Sequence, residues 1–238
     1  MWAIVPLKDF VNAKQRLSGV LTAHQRRLLF QAMVEDVLTV LSQTAGVSDI
    51  LIVSDDPVAA MLAQKYGAQV MAEDGINSRG LNGAVGCAAR MLEQQGVSDV
   101  MIIHGDLPLL TTAEIEILLR QHQTPAPEQR FTIVPDRERL GSNCMLCSPP
   151  LLIPFQYGYN SFEKHCAAAK QKLVQPQVLE LPGLALDVDY PEDLLAMISA
   201  LGQESKSHTA KFLIDNDMAE RLQSASDLLP NPSDEKKG

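Results

Sequence analysis

The chain has 238 residues, of which 46% are hydrophobic and only 5% aromatic, and its formal net charge is -9 at pH 7. This length suffices for one sizeable core, and the acidic balance argues against a general nucleic-acid surface. No stretch approaches the roughly 18 to 20 uninterrupted apolar residues of a membrane span, and the opening MWAIVPL is typical of a strand rather than of a cleaved leader. We therefore expect a soluble cytoplasmic protein with no nucleic acid and no membrane among its partners.

Short apolar segments alternate with helical patterns over the first 140 residues. Strands are predicted at 3–7, 49–54, 69–73, 99–106 and 131–136, and helices near 22–42, 57–66, 81–95 and 112–122. Strands of about five residues that alternate with helices indicate βαβ units around a parallel sheet. The predicted fold is therefore α/β, with three layers.

The alternation ends after residue 135, where paired prolines and glycines predict a loop with short strands at 137–160. We expect a helix at 161–171, strands at 177–181 and 185–189, and a final helix at 191–201. One domain is predicted at residues 1–202. Residues 203–238 are predicted to be a polar tail that forms a short amphipathic helix and then becomes disordered.

Two of the four cysteines, Cys144 and Cys147, have the C-x-x-C spacing. A zinc site would need a second pair of ligands, and a redox motif would be expected to open a helix. The surrounding SNCMLCS instead indicates a short strand, on which residues three apart face opposite ways. We interpret both cysteines as buried structural residues.

Carboxylates follow most of the predicted strands, at the edge of the sheet where open α/β folds bind ligands. Asp106 ends the fourth strand in HGDLPLLT, and Pro108 prevents that strand from continuing. A carboxylate at this position suits Mg²⁺ that bridges phosphate oxygens. The alternative is a turn residue or a helix cap, but Thr111 and Thr112 are better placed to cap the next helix.

Asp187 and Asp189 form a D-x-D pair in the predicted strand 185–189. Residues two apart on a strand share one face, so the two like charges would need a cation between them. Capping of the following helix requires one carboxylate at most. A phosphatase of the D-x-D type would carry the pair on its first strand rather than its last. The pair therefore favours a metal site.

Three cations, Lys8, Lys14 and Arg16, lie within nine residues after the first strand. They could neutralise a polyphosphate and stabilise a leaving pyrophosphate. The spacing alone is equally compatible with a solvated charged loop, and the chain has neither a Walker A sequence nor G-x-G-x-x-G.

Small residues and hydroxyl groups follow the fifth predicted strand, in GSN and in GYNS. Ser161 is expected to cap the helix at 161–171, and a helix start with free N–H groups can bind an anion. His165 and Cys166 are neighbours on that helix and point in different directions, which argues against a Cys–His nucleophile pair.

Seven segments occur in a characteristic order: VPLKDFVNAKQRL, VSDDP, LNGAVGCAA, GDLPLL, PDRERLGSN, YGYNSFEKH and LDVDYPEDL. Over about residues 1–201 they resemble the guanylyltransferase family that makes the precursor of the deazaflavin coenzyme F-420, 2-phospho-L-lactate guanylyltransferase and its relatives. The resemblance implies a nucleotidyltransferase (GT-A-like, Rossmann-type) fold with a mostly parallel sheet. It also implies transfer of GMP from GTP onto the phosphate of a three-carbon acid, with release of pyrophosphate.

The resemblance implies a role for each matching residue. Mg²⁺ would be held by Asp106, Asp187 and Asp189, and the acceptor phosphate by Ser142, Gly158 and Ser161. The nucleotide would be bound by Lys8, Lys14, Arg16 and Asn82, and the catalytic residues would be Lys14, Arg16 and Asp106.

Three positions depart from the family pattern. Ser142 replaces a threonine, Gln15 replaces a serine, and Tyr190 replaces the threonine of DVDTPEDL. Since Tyr190 cannot cap the last helix, Asp189 would have to serve both the metal and the helix.

The acceptor is expected to be 3-phospho-D-glycerate, phosphoenolpyruvate or 2-phospho-L-lactate, and the more bacterial appearance of the sequence favours the first two. Another nucleotidyltransferase, of the cytidylyl or molybdopterin type, is an alternative. A non-catalytic nucleotide-binding protein is a further alternative, against which the three aspartates argue. A homodimer is a possible assembly.

Overall fold

The computed structural model describes residues 1–7, 9–72, 80–123, 128–201 and 205–218. The strands are β1 (Trp2–Pro6), β2 (Asp49–Val53), β3 (Gln69–Met71), β4 (Val100–Ile103), β5 (Arg130–Pro135), β6 (Ser142–Ser148) and β7 (Gln177–Val178). The α-helices are α1 (Ala23–Gln43), α2 (Pro57–Tyr66), α3 (Leu81–Gln94), α4 (Thr112–His122), α5 (Ser161–Gln171), α6 (Pro182–Ala185), α7 (Pro191–Leu201) and α8 (His208–Asp215). A 3-10 turn at Gln15–Leu17 precedes α1.

The strands form one mostly parallel sheet, as predicted, and their order is β3-β2-β1-β4-β6-β5-β7. Strand β1 pairs in parallel with β2 and β4, whereas β6 runs antiparallel between β4 and β5. Because β6 is reversed, its first residue, Ser142, lies at the same edge as the end of β4. The amide of His104 donates to the carbonyl of Asn143 at this edge (3.1 Å).

Two buried clusters lie on opposite faces of the sheet, which confirms the three-layer arrangement. Side chains of α1, α4 and α7 pack on one face, and those of α3 and α5 pack on the other. Cys144 belongs to the first cluster and Cys147 to the second, and both are buried free thiols. The interpretation of the C-x-x-C pair as structural is therefore confirmed.

The predicted strand at 185–189 is wrong. Helix α6 ends at Ala185, and residues 186–189 run without regular structure into α7. Leu186 and Val188 are nevertheless buried in the core, so the alternation of apolar and acidic residues imitates a strand. The segment lacks a ladder partner because β7 already lies beside β5 at the edge of the sheet.

Helix α8 packs against α1. The carboxylate of Asp36 in α1 accepts hydrogen bonds from the backbone amides of His208 (2.7 Å) and Thr209 (2.9 Å), and Phe212 and Leu213 are buried in the core. The predicted boundary at residue 202 and the predicted disorder of the ending PNPSDEKKG (230–238) lie outside the described residues and stay predictions. Among the described residues, no helix has the length and apolar character needed to cross a membrane.

Candidate active site

Lys14 brings two predicted site residues together. It lies at the start of the 3-10 turn in the left-handed conformation (φ 53°), and its side chain is only 5% exposed. The Nζ atom lies 2.5 Å from Asp106 Oδ2 and 2.9 Å from Asp189 Oδ1. Burial alone would lower the pKa of Lys14, but the charges of Asp106 and Asp189 raise it above its usual value. Lys14 is therefore a buried cation between two carboxylates.

Arg16 adds a second cation on the solvent side of this cluster. Its Nη1 atom lies 2.8 Å from Asp189 Oδ2, and its guanidinium is 4.8 Å from the ring centroid of Tyr190. Tyr190 thus supports Arg16 by a cation–π contact. The Arg16 side chain is 58% exposed, so it can reach an incoming anion.

Asp106 lies in the turn after β4, and Gly105 in this turn packs directly against core side chains. A Cβ at Gly105 would lie 2.5 Å from Leu7, so only glycine fits the turn. Burial would raise the pKa of Asp106, but Lys14 lowers it, and the group is ionised. Its Oδ1 atom is buried and has no hydrogen-bond partner among the residues that the structure describes. Thr111, not Asp106, caps helix α4 in a capping box with Glu114, as predicted.

Asp187 faces the same cluster from the segment before α7. Its Oδ1 atom accepts a hydrogen bond from Asn143 Nδ2 (3.2 Å). Burial, followed by the negative charge of Asp106, raises the pKa of Asp187 to about 6. The sequence did not single out Asn143, because its contact with Asp187 spans 44 positions. The one sequence feature that pointed to Asn143 was its position next to Ser142 in GSN.

The expected double role of Asp189 is wrong. Asp193 Oδ2 accepts hydrogen bonds from the backbone amides of Asp189 (3.1 Å) and Tyr190 (2.8 Å), so the start of α7 is capped from within the helix. The carboxylate of Asp189 is therefore left to Lys14 and Arg16.

The three aspartates have the chemistry of a site for a divalent cation. No group of three His, Cys, Asp or Glu side chains in the described ranges already has the arrangement of a metal site, since Lys14 lies between Asp106 and Asp189. However, Asp106 Oδ1 accepts no hydrogen bond from the described residues, and burial, followed by the charge of Asp106, raises the pKa of Asp187. Three carboxylates could supply the oxygen ligands that Mg²⁺ prefers.

A pair of hydroxyl groups lies at the start of β6, one residue before the Asn143 that contacts Asp187. Ser142 Oγ is 3.2 Å from Ser161 Oγ, and both residues are buried. The predicted capping role of Ser161 is wrong, because Asn160 is the N-cap residue and Ser161 is the first residue of α5. The amide of Ser161 donates to the carbonyl of Gly158, which has a φ of 115° that favours glycine. The hydroxyl groups are therefore the donors available here.

One predicted nucleotide-binding residue, Asn82, lies outside this arrangement, and another, Lys8, is not among the described residues. Asn82, in the first turn of α3, exchanges hydrogen bonds with the backbone of Tyr157: its Nδ2 donates to the carbonyl (3.3 Å) and its Oδ1 accepts from the amide (2.6 Å). Its contact with a nucleotide stays a prediction.

Comparison with known proteins places this geometry in a family. Residues 1–228 match the model of the family described as Guanylyl transferase CofC like. The chain belongs to this family. It is 38% identical over 214 residues to a phosphoenolpyruvate guanylyltransferase of Conexibacter woesei, covering 89% of this chain and 94% of the relative. It is 33% identical over 199 residues to a 3-phospho-D-glycerate guanylyltransferase of Colwellia psychrerythraea, covering 83% and 91%.

A solved structure from Desulfovibrio desulfuricans, described as a nucleotide-diphospho-sugar transferase, has the same fold. Its TM-score is 0.74 at 16% identity, and the alignment covers 94% of this chain and 96% of the other. Membership of the CofC-like family makes the protein an enzyme of the nucleotidyltransferase class. The fold is GT-A-like, as the resemblance implied.

Proposed function

We propose that this CofC-like enzyme transfers GMP from GTP onto the phosphate of a three-carbon phospho-acid and releases pyrophosphate, as a step of coenzyme F-420 biosynthesis. One observation carries the proposal. Lys14 joins Asp106 to Asp189 at the sheet edge where the hydroxyls of Ser142 and Ser161 also meet. A reaction between two phosphates needs cations to offset negative charge, carboxylates to hold a metal ion and neutral donors to bind phosphate oxygens. All three kinds of group occur at this edge.

The nucleoside is proposed to bind at the ends of β1 and β2. A cavity of about 800 Å³ opens there, within the range of roughly 300 to 1,000 Å³ that is typical of small-molecule sites. Its polar lining consists of Asp9, Asn12, Arg27, Asp55 and Asp56. Since the same loop continues to Lys14, a nucleoside in this cavity would direct its phosphates towards Lys14 and Arg16.

Asp106, Asp187 and Asp189 are proposed to hold Mg²⁺. When bound, the ion screens the phosphate charges and polarises the phosphorus centre. Lys14 and Arg16 then stabilise the charge that develops on the leaving pyrophosphate. Asn143 fixes the orientation of Asp187 through its amide.

The acceptor phosphate is proposed to bind to Ser142 and Ser161, with Gly158 shaping the loop. Its oxygen attacks the α-phosphorus of GTP, a P–O bond forms, and the bond to pyrophosphate breaks. No protein nucleophile is required, because a phosphate dianion is itself a nucleophile once its charge is screened. Catalysis then depends on positioning and electrostatics. The order β2-β1-β4-β6 supports this layout, with the nucleoside at one end and the acceptor at the other.

Phosphoenolpyruvate or 3-phospho-D-glycerate is the proposed acceptor, since the two relatives compared above are named for these compounds. The test is mass spectrometry of the products formed from GTP, Mg²⁺ and equal amounts of phosphoenolpyruvate, 3-phospho-D-glycerate and 2-phospho-L-lactate. We expect one dominant GMP adduct and an equal amount of pyrophosphate.

Product with CTP instead of GTP would overturn the guanylyl assignment in favour of a cytidylyl transferase. Absence of pyrophosphate with every nucleotide and acceptor would overturn catalysis and favour a nucleotide-binding protein. An adduct of 2-phospho-L-lactate alone would overturn the choice of acceptor and leave the reaction type intact.

A further inference from the structure

His165 is a buried side chain with two hydrogen bonds that point in opposite directions. It lies in α5 and is 0% exposed. Its Nε2 atom is 2.8 Å from the backbone amide of Gln156, and its Nδ1 atom is 2.9 Å from Ser142 Oγ. The imidazole therefore connects the loop before α5 to one of the two hydroxyls described above.

The hydrogen bond from Gln156 determines which ring nitrogen carries the proton. A backbone amide can only donate, so Nε2 must be the unprotonated acceptor. In a neutral imidazole the proton then lies on Nδ1, which donates to Ser142 Oγ. Burial, with smaller effects of His104 and Lys164, lowers the pKa of His165 to about 4 and keeps the ring neutral at pH 7.

The direction of this donation determines what the Ser142 hydroxyl can do. A hydroxyl has one hydrogen to donate and two lone pairs that accept, and one lone pair of Ser142 here accepts from the Nδ1–H group of His165. The hydrogen of Ser142 must point elsewhere, and its other contact among the described residues is Ser161 Oγ at 3.2 Å. Phosphate oxygens accept hydrogen bonds and donate none when ionised. A hydroxyl held as a donor is therefore suited to a phosphate ligand.

We propose that His165 is a positioning residue that fixes the Ser142 hydroxyl as a hydrogen-bond donor to the phosphate of the acceptor substrate. The relay runs from the amide of Gln156 through His165 to Ser142. The inference rests on the proposed role of Ser142 in acceptor binding. The inference adds His165, which does not contact the substrate. By holding Ser142 as a donor, His165 favours an anionic group, which accepts hydrogen bonds and donates none, at that position.

A second buried histidine provides a matched control. His122 is 1% exposed, its pKa is also lowered to about 4, and its ring nitrogens lie 2.8 Å from Thr132 Oγ1 and 2.9 Å from Ser148 Oγ. Ser148 lies at the opposite end of β6 from Ser142. Substitution of His122 therefore reports the loss of a buried histidine without the effect on the acceptor site.

Two substitutions of His165 distinguish loss of the hydrogen bond to Ser142 from loss of the ring as a whole. Asparagine places its amide near the former Nδ1 position and can still donate to Ser142, whereas phenylalanine fills the space and donates nothing. We expect His165→Phe to raise the acceptor KM about tenfold, the loss of roughly one hydrogen bond to a charged group, with little change in the KM for GTP. His165→Asn should restore much of the acceptor affinity. His122→Asn should leave both KM values unchanged.

A double-mutant cycle with Ser142→Ala isolates the relay. If His165 acts through Ser142, His165→Phe adds little to the acceptor KM of the Ser142→Ala variant. Independent effects of the two substitutions would overturn the proposal. An equal increase in the KM for GTP, or a His165→Asn variant as impaired as His165→Phe, would also overturn it.

Two measurements on the wild-type protein distinguish failure of this inference from failure of the proposed function. Nitrogen-15 NMR of histidine should show the Nδ1–H tautomer for His165, and an Nε2–H tautomer would overturn the relay whatever the activity. Phosphorus NMR titration with phosphoenolpyruvate measures acceptor binding without turnover. The wild type could bind phosphoenolpyruvate, and His165→Phe could weaken this binding, in a protein that releases no pyrophosphate. That result would support the relay and overturn the proposed reaction.

Discussion

The ammonium group of Lys14 lies 2.5 Å from Asp106 Oδ2, although 92 positions of the chain separate the two residues. The same nitrogen is 2.9 Å from Asp189. One buried cation thus compensates two carboxylates that would otherwise repel each other, and it does so where the proposed Mg²⁺ ligands converge. Stability and function therefore depend on the same charges.

The first prediction concerns removal of this cation. Lys14→Met should lower the free energy of unfolding by about 3 kcal/mol, because it leaves the largely buried carboxylate of Asp106 uncompensated, whereas Asp189 keeps Arg16 as a partner. Mg²⁺ should raise the melting temperature of the variant more than that of the wild type, since the carboxylates are then free to bind it. Thermal unfolding with and without Mg²⁺ measures both effects, and turnover should be lost.

Lys65→Met is the control for this prediction. Lys65 also pairs with a carboxylate, that of Glu35, but its side chain is 51% exposed. The Glu35 side chain is itself only 11% exposed, but it keeps hydrogen bonds from Gln31 (3.1 Å) and Tyr66 (3.2 Å) when Lys65 is removed. Lys65→Met should therefore lower stability less than Lys14→Met does, and it should not alter the response to Mg²⁺. Equal losses in the two variants would contradict the role assigned to Lys14.

The second prediction is that function and stability oppose each other at Asp187. Burial and the charge of Asp106 raise its pKa to about 6, so its ionised form is unfavourable in the metal-free protein. Asp187→Asn should raise the unfolding free energy at pH 7 by on the order of 1 kcal/mol and should abolish most turnover. Chemical denaturation together with a pyrophosphate assay tests this. A variant that is less stable, or that keeps wild-type rates, would contradict the assignment.

Much of the fold could be predicted from the sequence, because helices, strands and caps are indicated by patterns over a few consecutive residues. Thr111 and Thr112 are the predicted caps of the following helix, and Thr111 is its cap, in a capping box with Glu114 three residues later. The wrong prediction of a strand at 185–189 has the same origin. Its alternating pattern requires only that Leu186 and Val188 be buried, and both are buried although the segment pairs with no strand of the described sheet. Whether a segment joins a sheet depends on a free neighbouring strand, which is a property of the whole fold.

The residues of the candidate site could be proposed from the sequence, but the contacts between them could not. Arg16 and Asp189 are 173 positions apart, and no local pattern indicates that they pair. Ser161 looked like a cap because serine commonly is one, yet Asn160 takes that position and the hydroxyl turns to Ser142. The resemblance to a family supplied roles, whereas the partners that determine charge and proton positions required the tertiary structure.

The third prediction concerns stability against pH. The pKa values of His122 and His165 are about 4 in the folded protein, below the ordinary 6.5, mainly because both rings are buried. At these two rings the unfolded chain therefore binds more protons between these values. Their contribution to stability is complete above pH 6.5 and decreases as the pH falls towards 4, and protonation of Asp187, whose pKa is raised to about 6, partly opposes this decrease. Each ring contributes a slope of up to about 1.4 kcal/mol per pH unit in this window.

Denaturant unfolding at several pH values between 4 and 7 measures this slope. His122→Asn should be less stable than the wild type at pH 7, and its stability should depend less steeply on pH in this window because one titrating ring is removed. An unchanged slope in that variant would show that His122 does not contribute to the acid sensitivity.

The fourth prediction concerns the attachment of α8. Asp36 accepts hydrogen bonds from the amides of both His208 and Thr209, and burial raises its pKa. Asp36→Asn leaves a single acceptor oxygen for two N–H groups, which should cost about 1 to 3 kcal/mol. Because this loss falls on the first turn of α8, amide hydrogen exchange should increase across residues 208–215 more than across the sheet.

Asp215→Asn serves as the control, since it makes the same change of charge on an exposed position of the same helix. It should leave exchange in α8 unchanged. If exchange were equally slow in both variants, the buried contacts of Phe212 and Leu213 would suffice to hold the helix. If Asp36→Asn also accelerated exchange at the start of α1, where Gln25 Nε2 donates to Asn216 Oδ1 (3.3 Å), then α8 would be stabilising the helix that follows the Lys14 loop.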